Sequence, residues 1–258
     1  MIYSEDYQIR WHETDLNRVN RPSAFLTILQ ETANHQLHAV GTDLDALRDE
    51  KRVAFILSRI AAKVYSPLRA YENITAQTWV CPGRGLNFER CFRILRGEKT
   101  VAECWSSWGL LSLDERRLLS VDTLDFPITP EEKLLPQGIP ARFRVPPVSE
   151  MEPVGTRVIR YSDIDYNGHM NNTRYPDMLA DFLPDPTAVW VNGFSLSFLQ
   201  EAKLGDSLTV FRAPWQGAGG EQGFVFRTVD EQGTTCLEAL LTVLPAVDLP
   251  SVTLSFSF

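Results

Sequence analysis

Three polar residues at alternate positions, Asp165, Asn167 and His169, place a carboxylate, an amide and an imidazole in one short segment. In an extended segment, residues i, i+2 and i+4 share one face, so these side chains are predicted to converge. A helix is predicted to begin near Asn171 or Asn172, with its free N–H groups aimed at the same spot. A carbonyl placed there would find donors for the oxyanion that develops during its hydrolysis.

A second acidic residue, Glu201, follows a strand predicted over Val191–Gln200. Phe194, Leu196 and Phe198 alternate along one face of that strand, so Glu201 falls on the other parity at its end. A carboxylate placed beside the imidazole would suit general base catalysis.

The chain contains two related halves. Ile9–Asn17 is similar to Ile159–Asn167, since an arginine, an aromatic residue, an acid, Asp and Asn coincide. Each stretch leads into a predicted helix, over 22 to about 40 in the first half and 172 to about 182 in the second. The predicted strands that follow are Ile74–Cys81, Phe88–Leu95 and Val101–Ser112, then Leu208–Trp215, Phe224–Val229 and Thr235–Leu244.

Each candidate residue also has a structural interpretation. Asp and Asn satisfy backbone groups in turns, a histidine can pack or cap, and a glutamate alone is often a solvated surface charge. The repeat favours chemistry, because the first half keeps Asp15 and Asn17 but has Val19 and Pro67 where the second half has His169 and Glu201. A shared turn explains the Asp and the Asn, but not a histidine in only one half.

The element order predicts an α+β fold. One long helix facing several antiparallel strands forms an α+β unit, and two related units should pair about a pseudo-twofold axis with their sheets side by side. The segment between the two halves is rich in proline. Proline fixes φ and lacks a backbone donor, so no sheet is expected through this segment. The predicted organisation is an N-terminal unit 1–126, a linker 127–153 and a C-terminal unit 154–258.

The composition excludes several classes of protein. Of the 258 residues, 44% are hydrophobic and 22% are charged, which indicates a globular chain. A net charge of -8 argues against a nucleic-acid-binding protein. No apolar run reaches the roughly 20 residues that span a membrane, and no export signal is visible, so a cytoplasmic location is expected. The cysteines lack metal-site spacing and are predicted to be free thiols, mostly buried: Cys81, Cys91, Cys104 and Cys236.

The run from Asp165 to Asn172, with Arg174 and Tyr175, resembles the signature of the acyl-ACP thioesterases of plants and some bacteria. The resemblance covers essentially the whole chain and implies a tandem (double) hotdog, two antiparallel sheets each wrapped around a long helix. It implies a catalytic site of Asp165, Asn167, His169 and Glu201, with no cofactor and no metal. Plant members have a cysteine directly after the matching glutamate, whereas this chain has Ala202, so a cysteine-bound acyl intermediate is not expected.

The resemblance implies hydrolysis of fatty acyl-ACP to free fatty acid and holo-ACP. Water would be the nucleophile, activated by Glu201 directly or through His169. The alternatives are an acyl-CoA thioesterase, a dehydratase acting on 3-hydroxyacyl thioesters and, in another class, a non-catalytic acyl-thioester binding protein. The expected partner is acyl carrier protein, and a homodimer is possible.

Two further sets of residues are candidates for substrate contacts. The first half would supply much of an acyl slot, although core packing is the simpler interpretation for its members, Phe25, Leu26, Leu29, Phe55 and Ile56. A cationic surface would help a net-negative enzyme to dock the acidic carrier. The available arginines are Arg84, Arg90, Arg93, Arg96, Arg116 and Arg117, for most of which a solvated strand face is the simpler interpretation.

Overall fold

The computed structural model describes residues 1–123, 127–132 and 142–249, so part of the predicted linker lies outside the described residues. The first half contains β1 (Tyr3–Gln8), α1 (Pro22–Ala39), α2 (Leu44–Asp49), β2 (Val53–Val64), β3 (Asn73–Arg84), β4 (Asn87–Arg96), β5 (Lys99–Ser112) and β6 (Arg117–Leu119). The second half contains β7 (Glu152–Val158), α3 (Tyr175–Ala180), β8 (Val189–Phe198), β9 (Ser207–Gln216), β10 (Gln222–Val229) and β11 (Thr235–Pro245). Among these elements, no helix is both long and apolar enough to span a bilayer.

Within the described residues, one antiparallel sheet of 11 strands runs through both halves. Its order is β1-β3-β4-β5-β2-β8-β11-β10-β9-β7, with β6 beside β5, so each half repeats the same strand order. The halves join where β2 pairs with β8, and this β2–β8 seam places Ile60 opposite Leu196 and Ala62 opposite Phe194. The α+β double hotdog is confirmed, with the two predicted sheets fused into one.

The sheet of the first half curves around α1, whose buried face carries Phe25, Leu26, Leu29 and Leu37. The helix begins with Pro22 at its first position, where proline's missing N–H is not needed. It ends at Ala39 and is followed by Gly41, which has a φ of +72°. The N–H of Thr42 donates to the carbonyl of Leu37 at 2.9 Å and so caps the helix. The helix therefore matches the range predicted for it.

The helix of the second half is shorter than predicted. A 3₁₀ turn, Asn172–Arg174, leads into α3, which has only 6 residues. Pro184 and Pro186 follow closely in the sequence, and proline disfavours helical backbone in the residue before it. The prediction of a helix as far as about residue 182 was therefore wrong, as was a long helix in the second unit.

A half-buried carboxylate links α3 to α1. Asp177 accepts hydrogen bonds from the backbone N–H of Ser23, at 2.8 Å, and from the hydroxyl of Ser23. These bonds hold the first turn of α1 against the second half. Burial raises the pKa of Asp177 above its ordinary value of 3.8, since the Ser23 bonds offset only part of the desolvation.

The substitution Asp177→Asn is expected to change how the stability of the protein depends on pH. An acid with a raised folded pKa binds more protons folded than unfolded, so wild-type stability falls as pH rises through that value. Asn keeps an acceptor for the Ser23 N–H and has no charge, so the melting temperature of the variant relative to wild type should increase as the pH rises above the ordinary aspartate pKa of about 3.9. Asp185→Asn is the control with the opposite trend, because hydrogen bonds from Thr187 lower the pKa of Asp185. A pH-independent difference for Asp177→Asn would contradict the assignment.

Candidate active site

The segment from Asp165 to His169 forms a tight hairpin and not an extended strand. The N–H of Asp165 donates to the carbonyl of His169 at 2.9 Å, and the N–H of Gly168 donates to the carbonyl of Asp165 at 3.0 Å. Gly168 has a φ of +83°, a conformation that glycine adopts without steric cost. The prediction that Asp165, Asn167 and His169 share a face by alternation was therefore wrong. The Asn167-Gly168 pair is a hairpin signal that could have predicted this turn.

The first half contains the same hairpin. The N–H of Asp15 donates to the carbonyl of Val19 at 2.8 Å, and Arg18, with a φ of +60°, takes the place of Gly168. The turn therefore accounts for the Asp in both halves, because its carboxylate accepts a backbone N–H of the turn. The Asn side chains bond outside the turn. Val19 is buried where His169 is partly exposed, so the two hairpins differ in side-chain chemistry and not in backbone.

His169 and Glu201 meet at the base of the second hairpin. Their side-chain atoms Nε2 and Oε2 lie 2.9 Å apart, with the imidazole 29% and the carboxylate 55% exposed. The loop between β8 and β9 holds them together, because the N–H of Met170 donates to the carbonyl of Ala202 at 2.8 Å and His169 forms a bridge with Lys203. The two residues singled out by the repeat are thus in direct contact and accessible to water.

The first half reaches the hairpin through α2. Nη1 of Arg48 donates to Oδ1 of Asn167 at 3.1 Å, and its guanidinium lies 5.2 Å from the ring centroid of Tyr166. The hydroxyl of Tyr166 donates to Asp45 at 2.8 Å. Because Oδ1 of Asn167 accepts from Arg48, its Nδ2 is left as a donor toward a ligand. Sequence reasoning missed Arg48, and no local signal connects it to a residue 119 positions away.

The start of the second helix offers fewer free donors than predicted. Asn171 caps it as expected, since its Oδ1 accepts from the N–H of Thr173 at 2.9 Å. The N–H of Arg174 donates to the carbonyl of Asn171 at 2.9 Å. The N–H groups of Thr173 and Arg174 are thus satisfied within the cap and unavailable to an oxyanion. Side-chain donors must contribute more than this helix start.

Tyr175 lies beneath the site. It is 3% exposed and packs edge-on against Phe198, with ring centroids 5.3 Å apart. Burial raises the pKa of Tyr175 well above its ordinary value, and the charge of Glu201 acts in the same direction. The phenol therefore stays neutral, which excludes Tyr175 as the base of the site.

A cavity of about 340 Å³ opens beside the hairpin and extends into the first half. Asp165, Asn167, Asn171 and Asn172 line its polar wall, while His169 and Glu201 are not among its lining residues. Its apolar wall comes from α1 and the first-half sheet: Leu29, Ala33, Leu37, Phe55, Ile60, Val80, Phe88, Phe92 and Trp108. The cavity thus joins the polar hairpin to an apolar interior.

The five residues predicted for an acyl slot divide between two locations. Leu29 and Phe55 line the cavity. Phe25 and Leu26 are buried in the main core, and Ile56 is half-buried outside the cavity lining. Core packing, the simpler interpretation, is confirmed for Phe25 and Leu26, and Ile56 is not a lining residue either, because a helix and a strand each present only one face to the cavity.

The arginines predicted to form a docking surface are not alike. Arg84, Arg116 and Arg117 are exposed, whereas Arg93 and Arg96 are half-buried in ion pairs with Glu103 and Glu72. Arg90 is buried and lines the cavity, so placing it on a docking surface was wrong. All four cysteines are free and buried, as predicted.

Comparison with known proteins identifies the family. A family model described as the acyl-ACP thioesterase N-terminal domain matches residues 1–124, and its C-terminal counterpart matches residues 151–240. The chain belongs to the acyl-ACP thioesterase family. Its reaction is accordingly the hydrolysis of the thioester of fatty acyl-ACP. No curated protein sequence matches it significantly.

Two solved structures show the shared fold across nearly the whole chain. An acyl-ACP thioesterase from Bacteroides thetaiotaomicron is 22% identical, with a TM-score of 0.81 over 94% of this chain and 98% of its own. A 12:0-ACP thioesterase from Umbellularia californica is 17% identical, with a TM-score of 0.82 over 95% of this chain and 94% of its own. The enzyme therefore has the architecture of both bacterial and plant acyl-ACP thioesterases.

Proposed function

We propose that Asp165, Asn167, His169 and Glu201 carry the hydrolysis in the C-terminal unit, and that the N-terminal unit holds the acyl chain. The observation that supports this most directly is the 2.9 Å contact between Nε2 of His169 and Oε2 of Glu201 at a hairpin that borders an apolar cavity. An imidazole–carboxylate pair open to water is suited to activating that water as a nucleophile.

In the proposed reaction the His169–Glu201 pair takes a proton from water as the water oxygen attacks the thioester carbonyl carbon. Nδ2 of Asn167 donates to the oxyanion, and a directed donor of this kind contributes about 2.7–4 kcal/mol. The carbon–sulfur bond then breaks, and the proton held by the pair passes to the carrier's thiolate. Asp165 fixes the geometry, because its Oδ1 accepts from the N–H of Asn167 at 2.8 Å.

The acyl chain is proposed to occupy the cavity between α1 and the first-half sheet. The walls that Leu29, Phe55, Phe92 and Trp108 contribute are apolar and already formed. A preformed cavity that combines apolar walls with polar groups at defined places is typical of small-molecule sites. Because Asp165 and Asn167 belong to the same lining, a chain in this slot has its carbonyl end near the hairpin.

A panel of acyl-ACP and acyl-CoA substrates of increasing chain length, monitored for free thiol, tests the proposed function. We expect thiol release that is faster from ACP than from CoA. Faster release from CoA would favour an acyl-CoA thioesterase. Alkene formation from 3-hydroxyacyl thioesters without thiol release would favour a dehydratase, and tight binding without turnover would favour a non-catalytic binding protein.

Replacement of Arg48 by alanine is expected to reduce kcat about 10-fold with a smaller change in KM. The variant loses the hydrogen bond that fixes the amide of Asn167, and a net contribution of about 1.5–3 kcal/mol is typical when the donor is charged. The exposed location of the pair places the effect at the lower end of that range. Steady-state kinetics would measure it, and Arg52→Ala, which removes an exposed arginine paired with Asp114, is the matched control. Equal activity of both variants would remove Arg48 from the site.

The remaining expectations are proposals that separate experiments test. The division into units at 1–126, 127–153 and 154–258 predicts that the catalytic variants map to the last unit and the chain-length variants to the first. Homodimer formation stays a prediction, which light scattering of the purified protein would test. A cytoplasmic location also stays a prediction, which cell fractionation would test.

A further inference from the structure

Arg90 is a cation buried in the wall of the cavity. It lies on β4 and is 8% exposed, with its side chain turned toward α1. Nη1 donates to Oε1 of Gln36 at 2.5 Å and to Oγ1 of Thr78 at 3.0 Å. Burial lowers the pKa of Arg90 to about 10, so its guanidinium stays protonated at neutral pH.

Among the described residues, no carboxylate lies within ion-pairing distance of Arg90. Glu31 also lines the cavity but is not bonded to this guanidinium. Its two hydrogen-bonding partners are neutral. A buried charge without a counter-ion is unfavourable, and such groups occur where a ligand supplies the opposite charge.

The guanidinium also has donors to spare. It carries five N–H groups, and the bonds to Gln36 and Thr78 both use Nη1. No described residue accepts from Nε or Nη2. The planar fork that these atoms form matches the two oxygens of a carboxylate.

The sheet register places Arg90 well inside the first half. Arg90 on β4 lies opposite Ser106 on β5, which lies opposite Ile60 on β2 at the β2–β8 seam. Neighbouring strands are about 4.8 Å apart, so Arg90 lies about 10 Å from β2 across the sheet. The cavity lining includes both Arg90 and the hairpin residues Asp165 and Asn167, so a chain that enters at the hairpin extends toward this guanidinium.

We propose that Arg90 forms a subsite for a carboxylate at the far end of the acyl chain, so that the enzyme prefers monothioesters of dicarboxylic acids to methyl-ended thioesters of equal length. The proposal rests on the proposed function, because it takes the cavity as the acyl site. The apolar walls hold the methylenes, and the carboxylate supplies the missing counter-ion of Arg90.

The test compares decanoyl-ACP with the ACP monothioester of decanedioic acid, for wild type and Arg90→Gln. We expect wild type to show a kcat/KM about 10- to 100-fold higher for the carboxylate-ended substrate, as a charge-assisted bidentate pair would give. Arg90→Gln should lose this preference, and Arg90→Lys should keep part of it. Arg93→Gln, which removes a cation of the same strand outside the cavity lining, should behave as wild type.

Calorimetry with decanamide and with 10-amino-10-oxodecanoic acid, the monoamide of decanedioic acid, separates this proposal from the proposed function, because only the second ligand carries a carboxylate. If neither thioester is hydrolysed while the carboxylate-ended amide binds more tightly through Arg90, the subsite stands and the hydrolase assignment fails. Wild type that prefers the methyl-ended substrate, or that shows equal rates, overturns the subsite and leaves the hydrolase intact. An Arg90→Gln variant whose only change is that it accepts longer methyl-ended chains also overturns the subsite. The wild-type comparison decides even if Arg90→Gln does not fold.

Discussion

Glu201→Ala is expected to lower kcat for acyl-ACP hydrolysis by about 10²–10⁴-fold, the usual contribution of a positioned base. The carboxylate is 55% exposed and lies in a loop, so its loss removes the partner of His169 without opening a cavity in the core. Thiol release under saturating substrate measures the effect. The melting temperature should stay close to that of wild type.

Glu231→Ala is the matched control, because Glu231 is an exposed carboxylate in the turn between β10 and β11. It should hydrolyse acyl-ACP at the wild-type rate. The double variant Glu201→Ala/His169→Ala should be little slower than either single variant, since residues that act as a unit are non-additive. Near-normal turnover of Glu201→Ala would remove Glu201 from the proposed mechanism.

Leu196→Ala is expected to destabilise the protein by about 2–5 kcal/mol, as for other buried leucines replaced by alanine. Leu196 is 0% exposed on β8 and lies opposite Ile60 of β2 and Ala239 of β11, so no solvent reaches the space that the side chain vacates. Thermal denaturation would detect this loss of stability, because the melting temperature falls by roughly 2–4 °C per kcal/mol for a chain of this size.

The comparison for Leu196→Ala is Leu199→Ala, three positions along the same segment. Leu199 is 58% exposed, so its truncation should change stability by no more than about 0.5 kcal/mol. Equal losses from the two substitutions would show that burial at the β2–β8 seam does not determine the effect.

Most of the regular elements could be predicted from the sequence because their patterns are periodic. Alternating apolar residues located β8, and Pro22 marked the start of α1. The repeat of Ile9–Asn17 in Ile159–Asn167 predicted equivalent local structure, and both copies form the same hairpin. Local chemistry dominates at these places, so local sequence is informative.

The errors arose where the outcome depends on distant residues or on backbone reversal. Alternation could not place Asp165 and His169, since Gly168 turns the chain between them. Nothing in the sequence near Arg48 indicates that it reaches Asn167, because tertiary packing alone brings them together. Arg90 was assigned to the surface since arginine is usually exposed, whereas this one bonds to Gln36 inside the sheet's concave face.

The continuous pairing of β2 with β8 makes the two repeats mechanically and thermodynamically one body. Neither repeat can lose its strands without exposing a hydrogen-bonding edge and apolar surface of the other, so melting should proceed as a single cooperative transition. Destabilising substitutions of equal free-energy cost would then lower the inactivation temperature of the enzyme equally, whether they lie in the repeat with the histidine or in the repeat without it. Selection on catalysis therefore constrains the sequence of both copies, although the proposed catalytic residues all lie in one of them.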